Sequence, residues 1–129
     1  MRIRPRSDAG FTLIELMIVM MIIGILITIA EPTYRTQIIR ARETALKKDL
    51  FIVRDVIDQY AADQGHYPDS LQELVEKGYL RAIPVDPFTR ASDTWVEVHD
   101  TTGEDAGGVF DIHSGSDLVG LDETPYNLW

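Results

Sequence analysis

The sequence predicts an α+β fold: a long N-terminal helix packed on a small antiparallel sheet of about three strands. Three observations carry this reading. Residues 11–30 are apolar except for one charge, Glu15. Beyond Pro32, apolar residues recur at helical spacing as far as Tyr60. The C-terminal third then holds two short stretches in which apolar and polar residues alternate.

The first element is the apolar run. At ~1.5 Å rise per residue, a helix of that length spans ~30 Å, the thickness of a bilayer's hydrocarbon core. Glu31-Pro32 closes it, and a proline inside a helix removes one backbone hydrogen bond and crowds the preceding turn. A kink or local break near Pro32 is therefore expected, with Gly24 loosening the run further. The helix then resumes. Ile39, Leu46, Leu50, Val53, Ile57 and Tyr60 fall on one face of a 3.6-residue period, with charged residues over much of the rest. This stripe is the packing face for a globular head, and Gly65 ends it.

Gly65-His66-Tyr67-Pro68 reads as a turn leading into a short helix. Ser70 with Glu73 three residues later fits a capping box, and Gly78 supplies a left-handed stop. Leu71, Leu74 and Val75 should face the long helix. Ile83-Pro84-Val85-Asp86-Pro87-Phe88 is an extended linker, because its two prolines forbid helix. Trp95-Val96-Glu97-Val98-His99 and Val109-Phe110-Asp111-Ile112-His113 read as strands joined by a loop through Thr101, Gly103 and Gly107-Gly108. A third short strand is expected near residues 126–129.

The chain has 129 residues, enough for one modest head once the apolar run is set aside, and no cysteine. Its formal charge is −9, and no lysine or arginine follows Arg90. Such a head repels nucleic acid. Chemistry has few footholds. His66, His99 and His113 are too dispersed for a zinc site, although His99 and His113 could meet across adjacent strands. Ser114-Gly115-Ser116-Asp117 lacks the context of a nucleophile elbow, and there is no phosphate-binding loop. None of these residue patterns points to an enzyme.

The N-terminus is more specific. In a secretory signal peptide the small-residue cleavage site follows the apolar region. Here Gly10 precedes it, so cleavage after Gly10 leaves the hydrophobic helix on the mature protein. Gly10-Phe11-Thr12-Leu13-Ile14-Glu15 resembles the class III leader of type IV pilins and type II secretion pseudopilins. The likeness continues through His66-Tyr67-Pro68, Ile83-Pro84-Val85-Asp86-Pro87-Phe88 and Asp111-Ile112-His113-Ser114-Gly115-Ser116-Asp117. These landmarks resemble those of the major pseudopilins of type II secretion, within the type IV pilin-like superfamily. Phe88 stands where that family has tryptophan, and the final loop is unusually short. Many type IV pilins carry a C-terminal disulfide, so the lack of cysteine leans towards a pseudopilin.

The resemblance implies a leader at residues 1–10, a transmembrane and filament-core helix at 11–31, and an exported head at 32–129. Cleavage would fall between Gly10 and Phe11, with N-methylation of Phe11 by the same prepilin peptidase. Losing a leader of three arginines and Asp8, net +2, takes the charge from −9 to −11. A carboxylate in hydrocarbon costs at least ~2.5 kcal/mol on insertion scales. In a filament, Glu15 would pair with the new amine of a neighbouring Phe11. Glu15 and Pro32 are thus the residues that resemblance marks for assembly.

The implied partners are other copies of the chain, minor pseudopilins, the inner-membrane assembly platform with its separate ATPase, and membrane lipid. The leader would be cytoplasmic and the head periplasmic, a topology that the leader arginines favour. Arg35, Arg40, Arg42, Lys47 and Lys48 lie just beyond the apolar run and could face acidic heads of neighbours. The major pseudopilins bind Ca²⁺ in the final loop, and the matching positions are Asp117, Asp122 and Glu123. Only four residues separate Asp117 from Asp122, and one of the usual aspartate pair is glutamate. Two other roles fit the sequence: a type IV pilin forming a surface fibre, and a monomeric membrane-anchored binding domain.

Overall fold

The computed structural model describes residues 10–102 and 107–129. The leader residues before Gly10 and part of the expected hairpin loop, including Gly103, lie outside the described residues. The element order is α1 (Leu13–Gln64), α2 (Leu71–Glu76), β1 (Val96–His99) and β2 (Val109–His113), then a 3-10 helix at Tyr126–Leu128. The chain divides into two compact units, one ending at Gln37 and the other spanning Ile38–Trp129.

In the first unit α1 begins under a cap. Thr12 Oγ1 accepts from the Glu15 amide at 3.2 Å, and the Leu16 amide reaches the Thr12 carbonyl at 3.1 Å. Thr12-x-x-Glu15 is a capping-box pattern, so one residue pair both starts the helix and places an acid in its first turn. The local break expected at Pro32 does not form; α1 is continuous through it. Proline's fixed φ suits a helix and only one backbone bond is lost. The Thr36 hydroxyl bonds back to the Pro32 carbonyl at 3.2 Å.

The second unit is built on the rest of α1. Leu46, Leu50, Val53, Ile57 and Tyr60 are its buried residues, which is the stripe the periodicity predicts; Ile39 is only half-buried. They pack with Leu71 and Leu74 of α2, with Trp95, and with Val109 and Ile112 of β2. Gly65, at φ +80°, turns the chain out of α1. Ser70 caps α2 as expected, accepting from the Glu73 amide. The reciprocal bond differs from a strict capping box: Glu73 Oε2 accepts from the Asp69 amide at 2.7 Å.

Strands β1 and β2 are antiparallel, pairing Val96 with His113 and Val98 with Asp111, and a bulge follows before His99 meets Val109. This register puts His99 and His113 at opposite ends of the ladder, so they do not meet. Trp95 is buried while Val96 is 48% exposed, so the inward side of β1 carries Trp95 and Glu97. The Glu97 carboxylate accepts from the Leu71 amide at 2.9 Å, capping α2 from across the head.

Among the described residues the sheet has two strands, not three. Val119 and Pro125 form only an isolated bridge. Pro125 has no N–H to extend a ladder, and its carbonyl accepts from Leu128 at 3.1 Å, turning the chain into the 3-10 helix.

Leu46 is fully buried at the centre of this packing. Leu46→Ala should destabilise the head by about 2–5 kcal/mol. Denaturant unfolding of the full chain in detergent reads this directly; an unchanged midpoint would mean that the stripe is not the core.

Candidate functional site

Two regions could act outside the chain itself: the N-terminal segment and the C-terminal loop. Around Gly10 the chain makes no demand for glycine. An added Cβ there meets nothing within 4 Å, and the backbone is not in the left-handed region. Among the described residues, then, nothing in the chain itself requires glycine there. Phe11 is 79% exposed, and every side chain from Phe11 through Ala30 is exposed, Glu15 among them. Among the described residues, α1 is the one helix long and apolar enough to cross a membrane.

The cations beyond Pro32 divide into two groups. Arg35 pairs with Glu31 one turn back, an exposed contact worth ~0–1 kcal/mol. Lys47 Nζ sits 4.4 Å from the centroid of the Trp129 ring, so it already has a partner within the head. Arg40 and Lys48 are exposed and Arg42 half-buried, and among the described residues none of the three forms an ion pair.

The C-terminal loop places Asp117, Asp122 and Glu123 on the surface. Asp122 Oδ1 accepts from both the amide (3.1 Å) and the hydroxyl (2.6 Å) of Thr124. Those two donors, the hydroxyl first, hold its carboxyl below the usual range. Glu123 adopts φ 65°, within a tight turn closed by Gly120 N–H to Thr124 O at 2.8 Å and Glu123 N–H to Gly120 O at 3.0 Å. Among the described residues, no three histidine or acidic side chains converge as metal ligands.

An acid outside the loop organises it. Glu43 of α1 accepts on Oε1 from the Leu121 amide at 2.8 Å and from the Tyr126 hydroxyl at 3.0 Å. Burial, and then this contact with Glu43, push the Tyr126 phenol up to about 12. Phe88, at the family's tryptophan position, stacks on Tyr126 with ring centroids 3.9 Å apart.

Two polar clusters were not anticipated. Asp86 is fully buried, its Oδ1 accepting from the Phe88 amide at 2.8 Å and its Oδ2 from the Ser114 hydroxyl. The Ser116 amide donates to Ser114 Oγ at 3.1 Å, so Ser114 braces the linker, while Ser116 Oγ accepts from the Leu118 amide at 3.3 Å. The Asp86-Pro87 step was the available signal, since an aspartate there closes an Asx turn on following amides. Ser114 directs its proton to a carboxylate, while the neighbouring His113 Nδ1 contacts the Trp129 oxygen at 2.6 Å. That is a brace and not a nucleophile with its base. The second cluster is Arg54, which donates to Asp111 Oδ1 (2.6 Å) and to the main-chain oxygens of Ile112 and Trp129 (both 2.9 Å). It clamps α1 to β2 and to Trp129.

An open apolar helix beginning at Leu13, just after Gly10-Phe11, together with a small α+β head, defines a pilin-like subunit. Residues 5–30 match the family described as the prokaryotic N-terminal methylation motif. The type II secretion system core protein G of Pseudomonas aeruginosa is 32% identical over 125 residues, covering 84% of this chain and 83% of that protein. Those of Klebsiella michiganensis and Escherichia coli K12 are 31% and 30% identical, over 66% and 64% of this chain and 71% and 68% of theirs. No solved structure matches. The chain belongs to the family of type II secretion system core protein G, the major pseudopilins.

Tyr126 and Tyr60 carry a testable pH signature. Hydrogen bonding to the Glu73 carboxylate raises Tyr60 to about 12 as well. An unfolded tyrosine ionises near ~10. A raised folded value means the stabilisation is complete below about pH 10 and is lost as pH rises towards 12. The thermal midpoint should fall across that window, and less steeply in Tyr126→Phe. Tyrosinate absorbance appearing fully near pH 10 with the fold intact would contradict this.

Proposed function

We propose that the chain is the structural subunit of a pseudopilus, the filament that drives type II protein secretion. The observation that carries this is the run of exposed apolar side chains from Phe11 to Ile29, interrupted by the single carboxylate Glu15, in a chain of the core protein G family. Such a surface is satisfied by lipid before assembly and by neighbouring helices afterwards. The role is architectural, with no catalytic step; the filament's work comes from a separate ATPase acting through an inner-membrane platform.

In this reading the leader lies in the cytoplasm and the head in the periplasm. The prepilin peptidase cuts between Gly10 and Phe11, then methylates the new amine. That amine pairs with Glu15 of an adjacent copy and fixes the axial register. Arg40, Arg42 and Lys48 are the cations open to the acidic head of a neighbour; Lys47, held over Trp129, is not. Each exposed pair contributes little, yet a contact repeated head to tail without closing produces a fibre. Minor pseudopilins would share the same helix contacts at the filament tip.

The test uses two variants in the native host. Gly10→Val should accumulate uncleaved precursor, seen as a heavier band in membranes, with no change in the head's unfolding midpoint. Glu15→Ala should be processed normally but recovered in sheared or cross-linked filaments at a small fraction of the wild-type amount. Normal processing of Gly10→Val would refute the leader; wild-type filament yield from Glu15→Ala would refute the pairing.

A further inference from the structure

We infer that the C-terminal loop of this chain is closed by Glu43 and Lys47 of α1, without a divalent cation. The inference departs from what the family resemblance implies for Asp117, Asp122 and Glu123. Calcium needs six to eight oxygens, drawn from carboxylates, carbonyls and water. Here one of the three carboxylates, Asp122, already has protein donors, while Asp117 and Glu123 lie exposed on the surface. Asp122 Oδ1 takes the amide and hydroxyl of Thr124. The carbonyls of Gly120 and Thr124 each accept a backbone amide within the turn. Thr124 Oγ1 accepts from the Trp129 indole at 2.6 Å, so donors run in series from Trp129 through Thr124 to Asp122.

Glu43 holds the loop from the other side. One oxygen, Oε1, receives the Leu121 amide and the Tyr126 hydroxyl. The fit is close: a Cβ added at Gly120 would stand 3.0 Å from that oxygen, from Asp122 Oδ1 and from Trp129 Cζ2. Two neutral donors aimed at one carboxylate oxygen satisfy its lone pairs and tie the loop to α1, while the negative charge stays on Glu43. Lys47 follows Glu43 by one helical turn, on the same face. Its ammonium lies over the Trp129 ring and acts favourably on Asp122, so the positive charge of the site comes from a side chain. The shortened loop fits this arrangement, because the turn of residues 120–124 is closed by its own backbone.

The consequence concerns the proposed filament subunit's head and is tested on its stability, so a failure here leaves the secretion reading standing. Thermal unfolding of the full chain in detergent should give the same midpoint with excess chelator as with millimolar CaCl₂. Calorimetric titration with Ca²⁺ should give no saturable binding. Glu43→Ala should lower the midpoint by about 4–8 °C, the shift ~1 kcal/mol produces in a head of this size, equally with and without calcium. Glu43→Gln, which keeps an acceptor oxygen, should lose less, and it serves if Glu43→Ala does not fold. A saturable rise of the wild-type midpoint with Ca²⁺, or a Glu43→Ala midpoint equal to wild type, would overturn the inference.

Discussion

Apolar side chains stand on every side of α1 between Phe11 and Ile29, the large ones 40–79% exposed, and this unmet hydrophobic demand governs the rest of the molecule. Burying such a side chain is worth roughly 1.5–3 kcal/mol. The segment cannot remain in water. A bilayer satisfies it, and so does a bundle of identical helices. Because lipid is as apolar as a neighbouring leucine, moving from one to the other carries little hydrophobic gain. Polar pairing then decides whether and how the helices assemble. In the proposed filament that leaves Glu15 as the group that sets register, already placed in the first turn by the Thr12 cap.

The same helix serves the head by different physics. From Leu46 to Tyr60 its inward stripe is the core. Beside that stripe runs a polar seam: Glu43 holds the C-terminal loop, Lys47 covers Trp129, and Arg54 binds Asp111 and the Trp129 oxygen. Residues far apart in sequence are thereby fastened to one rod. With two strands among the described residues and no cysteine, the head relies on these helix-borne contacts for its C-terminal shape. The buried Asp86–Ser114 bond does similar work between the linker and the segment after β2.

Much of this was legible in the sequence where a local pattern has one structural meaning. Helical spacing named the five buried residues of α1, and alternation located β2 without error in its bounds. Ser70 and Gly78 marked the ends of α2. The third strand does not form among the described residues: Pro125 cannot donate to a ladder, and the chain turns into the 3-10 helix instead. The roles of Glu97 and Glu43 had no sequence signal, since nothing nearby in sequence announces the amides of Leu71 and Leu121 that they accept from. Long-range side-chain bonds of this kind depend on the fold being in place. The implied metal loop illustrates the same limit: its acids match by position, but the contacts that Glu43 of α1 and Trp129 make with neighbouring loop residues are not announced in the sequence.

The most direct measurement is deletion of the gene in its host, with exported protein in the medium and fibres sheared from cells quantified in one culture, and a complemented strain alongside. The account predicts that exported enzymes fall to background while surface fibres persist, both restored by the wild-type gene. Loss of surface fibres with export unchanged would contradict it and make the chain a pilin.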